Sequence, residues 1–290
     1  MRVVYAYRSF TNRCDLIDNP WEAFLFRASL ISWMKYAPRV ERVIYCDLKV
    51  QKFLTTHGYT DYLDRIILVN FEKELDKRYP DSEPFFAYPK IWAISQQTKP
   101  FFVCDTDGIL RCNISDWFEE NQYYAVYYPK ENQNRTPDYT PFKALCKLAQ
   151  ICVSSPLLQS FCDYTNTINA GLLYFPDPRV AQLVGYTILT AGTDIYRGLE
   201  QVRKDIGNVG DDFVWTLYEE SLLSNLITFI SGKEIKKVMP SQFEECSGID
   251  GTQEWMLSQV QTAVSNLGFK FLQEEYEDLK DCGSVSGHIV

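Results

Sequence analysis

Phe101-Phe102-Val103-Cys104-Asp105-Thr106-Asp107-Gly108 decides the fold: an apolar run breaks off into two carboxylates one residue apart. A buried strand that delivers paired acids at its C-terminal tip is how an open α/β sheet builds a metal or phosphate site. Period-two alternation places Asp105 and Asp107 on one side of such a strand and Thr106 on the other. Two anionic oxygens on one side suit a hard divalent cation, Mn²⁺ or Mg²⁺. A simple turn with helix-capping acids would use the same letters.

The chain ahead of this stretch reads as βα units. Arg2–Tyr7 is a strand, and Pro20–Tyr36 is a helix opened by Asn19 and stopped by Pro38. Arg42–Cys46 is the second strand, ending at Asp47, and Lys49–His57 is a short helix closed by Gly58. Arg65–Val69, the helix Ala87–Gln97 and the strand Phe101–Cys104 continue the rhythm, which predicts a mostly parallel sheet covered by helices. Beyond the acidic pair the rhythm loosens. Tyr123–Tyr128 and Leu172–Phe175 read as strands, and Asn132–Thr140, with Pro137, as a surface loop. Helices are expected over Pro178–Ala191, Asp212–Ile230 and Thr252–Asn266, with Gly268 at a C-cap and a polar tail over Cys282–Val290.

The 290 residues are 46% hydrophobic and 15% aromatic, enough for one large core. A net charge of −9 argues against a nucleic-acid partner, while a bridging metal would still allow a phosphorylated ligand. Nine cysteines include no Cys-x-x-Cys pair, and there are only two histidines, His57 and His288. Buried reduced thiols, no zinc site and a cytoplasmic setting follow from that pattern. His57, beside Gly58, reads as a helix-terminal histidine. Met1–Tyr7 is too short for a signal h-region, and no window reaches the length of a transmembrane span.

Three further stretches carry a resemblance. Tyr88-Pro89-Lys90-Ile91-Trp92 precedes the acidic strand, and Asn169-Ala170-Gly171 opens the apolar run Leu172–Phe175 behind it. With Asp105-Thr106-Asp107, this order resembles the GT-A glycosyltransferases, especially the glycogenin-like and galactosyltransferase-like families, over roughly residues 1–230. The resemblance implies a GT-A-like single α/β domain with a Rossmann-like first half and a mixed, mostly parallel sheet. The halves would be 1–110 for the nucleotide and 111–250 for donor sugar and acceptor, with 251–290 as an appendage. It implies a metal-dependent transfer of a hexose, with retention, from a nucleotide-diphosphate sugar, UDP-sugar by analogy. The acceptor could be a glycan, a lipid or a protein.

The resemblance also assigns residues. Asp105 and Asp107 hold Mn²⁺ or Mg²⁺, with His288 as a third ligand; Gly287 precedes that histidine where the family places a glycine after it. Lys90 contacts donor phosphate or sugar, and Asn169, Ala170 and Gly171 line the donor. Tyr7 and Asp47, at strand tips, lie beside the base or ribose. Glu219, Glu220 or Asp212 faces the acceptor or the reacting carbon. Taken singly, each has an ordinary alternative: Lys90 as a solvated helix lysine, Asn169–Gly171 as a turn, the two glutamates as a solvated helix face, and His288 as part of a tail.

Asp105-Thr106-Asp107-Gly108 also resembles the first motif of haloacid-dehalogenase-like phosphatases, with Asp105 as nucleophile and Gly210-Asp211-Asp212 as a later acidic motif. About a hundred residues of βα units ahead of Asp105 fit that family poorly, and it has no counterpart of Asn169–Gly171. A relative that binds nucleotide sugar without turnover is the non-enzymatic alternative.

Overall fold

The computed structural model describes residues 1–9, 15–75, 87–126, 168–206, 222–245 and 253–281. Its first strand, β1 (Arg2–Tyr7), buries Val3, Val4 and Tyr5 completely. Burial on both faces marks an interior strand of a covered sheet. β1 pairs in parallel with β2 (Glu41–Cys46), Val4 opposite Val43, and β2 pairs in parallel with β3 (Arg65–Leu68), Ile44 opposite Ile66.

The helices between these strands start and stop for local reasons. After the short α1 (Asp15–Asp18), α2 (Pro20–Tyr36) begins where Asn19 Oδ1 accepts the Trp21 N–H at 3.0 Å and Pro20 takes the first helical position. It closes at Ala37, before Pro38. α2 is apolar nearly all round and is therefore buried nearly all round, from Trp21 to Trp33. In α3 (Leu48–Thr56), Asp47 caps the start by accepting from Val50 N at 2.9 Å. Gly58, at φ +73°, closes the other end in the left-handed conformation that a glycine tolerates. His57 sits at that C-cap, its Nδ1 3.0 Å from the Phe53 carbonyl.

Next come α4 (Phe71–Leu75), α5 (Tyr88–Ser95), β4 (Phe101–Cys104), the three-residue β5 (Gly108–Leu110) and β6 (Tyr123–Val126). β7 (Asn169–Phe175) begins three residues earlier than its apolar run suggests, so Asn169-Ala170-Gly171 is strand rather than turn. It pairs antiparallel with β6, with an irregularity at Ala125/Val126 that lets Asn169 face Val126. α6 (Pro178–Ile206) runs well past Ala191, because Gly192 is carried within the helix instead of ending it. α7 (Leu222–Ser231) is the described part of the helix expected over Asp212–Ile230. β8 (Ile235–Val238), β9 (Phe243–Glu245), α8 (Gln253–Leu267) and α9 (Lys270–Asp281) complete the described chain.

Seven strands form one mixed sheet flanked by helices, in the order β3-β2-β1-β4-β7-β6-β8, and β5 pairs separately with β9. The chain steps outward from β1 to β2 to β3, then returns to place β4 on the other side of β1. That reversal is a topological switch point, the place where open α/β sheets bind ligands at the carboxyl ends of their strands.

By contact the chain divides into two compact units. The first comprises Met1–Val69, Phe102–Glu120 and Val238–Val290; the second comprises Asn70–Phe101 and Asn121–Lys237. In the first, Phe24, Leu25, Ala28 and Ile31 of α2 pack with Val260, Val264 and Leu267 of α8 and Leu272 and Tyr276 of α9. Lys35 closes the end of α8 by donating to the carbonyls of Asn266 and Leu267 at 2.8 and 2.9 Å. Arg27 reaches Glu275 on α9 through two hydrogen bonds of 3.0 and 2.8 Å. In the second unit, α6 lies close against α5. Gln182 Nε2 donates to the Gln97 carbonyl at 2.8 Å, and a Cβ at Gly185 would stand 2.8 Å from Ser95 Cβ.

Candidate functional site

The acidic pair lies just past β4. β4 is wholly buried and ends at Cys104, and the next four residues form a turn closed by the Gly108 N–H donating to the Asp105 carbonyl at 3.2 Å. The pair therefore occupies the first and third positions of a β-turn, rather than alternate positions of a continuing strand. Asp105 is half-buried, while Asp107 is only 4% exposed. The turn is tight on its inner side, because a Cβ at Gly108 would fall 2.3 Å from Phe243 Cζ and 2.9 Å from Cys104 Sγ. Glycine is required there for close approach.

The end of β4 lies alongside the later half of β1. Tyr5 is fully buried, and burial first, then the neighbouring Cys104 thiol, push its phenol well above its ordinary value. β4 is thus the neighbour of β1 on the side opposite β2, with Cys104 at its end against Tyr5. Tyr7, the last residue of β1, accepts the Leu16 N–H on its hydroxyl at 2.9 Å and so ties α1 to the strand tip. Arg8 follows, 8% exposed.

Asp47, at the tip of β2, has both oxygens engaged. Oδ1 caps α3, and Oδ2 accepts from the Ser9 backbone N–H and, at 2.7 Å, from the Ser9 hydroxyl. Its work in this structure is to hold the chain that leaves β1. Ser9 has no distinguishing signal in the sequence, since its partner is 38 residues away.

In the second unit, Lys90 on α5 is 8% exposed, and its Nζ donates to the Ala170 carbonyl at 3.2 Å. This excludes a solvated helix lysine and brings together two stretches, 80 residues apart, that the sequence singles out. Ala170 and Gly171 are buried within β7. Asn169 is the first residue of that strand. Asp212, Glu219, Glu220 and His288 lie outside the described residues, as do the Asn132–Thr140 loop and the Cys282–Val290 tail.

Among the described residues no three His, Cys, Asp or Glu side chains cluster as a metal site. Asp105 and Asp107 are nonetheless hard, anionic oxygen donors, the chemistry that Mg²⁺ and Mn²⁺ take from protein when phosphate oxygens and water supply the remaining ligands. By donor type, the two carboxylates suit such an ion.

No protein-family model matches the chain, and no curated protein matches its sequence. Solved structures that resemble it include mouse xyloside xylosyltransferase 1 in its apo form, 10% identical with a TM-score of 0.42, covering 82% of this chain and 85% of that one. The galactosyltransferase LgtC, in complex with donor and acceptor sugar analogs, is 12% identical with a TM-score of 0.45, covering 98% of this chain and all of that one. The PaToxG glycosyltransferase is 10% identical with a TM-score of 0.40, covering 99% and 86%.

Proposed function

We propose that the chain is a metal-dependent glycosyltransferase of GT-A type that moves a hexose, with retention, from a UDP-sugar to an acceptor. One observation carries the reading: the Asp105–Asp107 turn stands at the end of β4, the strand next to β1, where the strand order reverses. Asp105 and Asp107 would hold Mn²⁺ or Mg²⁺. When bound, the ion supplies positive charge that stabilises the departing diphosphate.

The chain's own residues do the rest. Asp47 holds Ser9 and so fixes the segment after Tyr7 on which the nucleotide would lie. Lys90 holds the Ala170 carbonyl, which keeps the Asn169–Gly171 backbone in place for the donor sugar. Glu219, Glu220 or Asp212 is the group for the acceptor side, and His288 is the candidate third ligand. A cytoplasmic, reducing setting is supported by the free thiols of Cys46, Cys104 and Cys112. No described helix is long and apolar enough to cross a membrane.

The test is release of UDP from UDP-hexoses, with Mn²⁺ and with EDTA. EDTA should abolish release, and Asp105→Ala/Asp107→Ala should lower it by on the order of 10²-fold or more. Release that proceeds equally in the double variant would refute the assignment.

A further inference from the structure

Ser29 and Ser32 sit inside α2 and are both completely buried. A buried hydroxyl is costly unless it is hydrogen-bonded, and each of these is bonded to the segment behind the acidic turn. Ser29 Oγ donates to the Gly108 carbonyl at 2.5 Å. That uses its single proton, so the Tyr5 hydroxyl, 3.0 Å away, donates to Ser29. Ser32 Oγ donates to the Ser29 carbonyl at 2.6 Å and accepts the Leu110 N–H at 3.0 Å.

Gly108 and Leu110 are alternate residues of β5, so these backbone groups point to the same edge of the strand. The opposite edge pairs with β9, Ile109 facing Glu244. The serines are three residues apart, about 4.5 Å along the helix and on one face of it. They take the place of a neighbouring strand along this buried edge of β5, where the Gly108 carbonyl otherwise has only the long 3.8 Å contact from Cys104 Sγ among the hydrogen bonds described.

We propose that Ser29 and Ser32 are positioning residues for the Asp105–Asp107 pair: by holding β5 they set the far end of the acidic turn and thereby the geometry in which the two carboxylates take a divalent cation. The inference rests on the metal reading above. Gly108 is held at its N–H by the Asp105 carbonyl and at its own carbonyl by Ser29, and Phe243 leaves no room for a side chain there. Cys104 Sγ adds a donation to the Asp105 carbonyl at 3.3 Å. With both ends of the turn held, only side-chain torsions remain for the carboxylates. Loss of a serine frees one end.

The experiment is a Mn²⁺ titration of the full chain followed by electron paramagnetic resonance, which reads free and bound ion directly. Ser29→Ala and Ser32→Ala should each weaken Mn²⁺ binding about tenfold or more, the size of effect that groups behind metal ligands exert, and should alter the bound-ion spectrum. Ile188→Ala, a cavity variant in the second unit, should lower the melting temperature while leaving the Mn²⁺ affinity unchanged, which separates positioning from general stability. If Ser29→Ala does not fold, Ser32→Ala carries the same test. A folded serine variant with wild-type affinity and spectrum would overturn the inference and leave the metal reading intact. A wild-type chain that binds no Mn²⁺ would overturn both.

Discussion

At the scale of single residues, burial decides what each polar group can do. Lys90 is spelled like any helix lysine, yet its ammonium is inside and bonded to the β7 backbone. Asp47 is spelled like a strand-tip ligand, and its two oxygens accept three hydrogen bonds that tie α3 and Ser9 to the strand tip. Next to it, burial and then the Asp47 carboxylate push the Cys46 thiol up to about 12. The thiolate is the reactive form. At pH 8 the folded chain should therefore leave Cys46 unmodified by iodoacetamide, with alkylation appearing only after unfolding. Mass spectrometry that finds Cys46 alkylated in the folded chain would contradict this placement.

At the scale of elements, Gly185 marks a close approach of α6 to α5, the helix that bears Lys90. Its missing Cβ would meet Ser95 Cβ at 2.8 Å and the Ser95 backbone N and Cα at 3.0 Å. Alanine favours a helix over glycine by about 1 kcal/mol, whereas overpacking costs about 1–3 kcal/mol. Because backbone atoms cannot swing aside, the clash wins. Gly185→Ala should lower the melting temperature and, by shifting α5, raise the KM for the donor; an unchanged melt would show that the helices are not in contact there.

The elements legible in the sequence are those with local signals. Asn19-Pro20 and Pro38 bracket α2, Gly58 and Gly268 close α3 and α8 at φ +73°, and the apolar run of β4 ends at Cys104 as read. The elements missed lack such signals. β5 is three residues long and exists because β9, some 135 residues on, and two serines on α2 complete its hydrogen bonds. α9 is charged along most of its length and shows its apolar positions, Leu272 and Tyr276, only once α2 is there to receive them. For the candidate site, the acidic pair and Lys90 stand out in the sequence by local context and order along the chain. Ser9, Ser29 and Ser32 could not, because their partners lie 38, 79 and 78 residues away. A pair of small polar residues three apart within an apolar helix is the sole trace the serines leave.

At the scale of the whole molecule, the proposed function asks a chain of net charge −9 to bind an anionic diphosphate. A cation held by two carboxylates would resolve that opposition, since it would turn acidic residues into an attachment point for phosphate. Nucleotide affinity should therefore exist only with metal present. Thermal unfolding with UDP, with and without Mn²⁺, measures this most directly. At ligand about 100-fold above its Kd, binding adds about 2.7 kcal/mol, or roughly 5 °C for a chain of this size. Such a rise is expected with UDP and Mn²⁺ together, none with UDP alone, and none in Asp105→Ala/Asp107→Ala. A shift that is independent of metal, or an equal shift in the double variant, would contradict the metal reading.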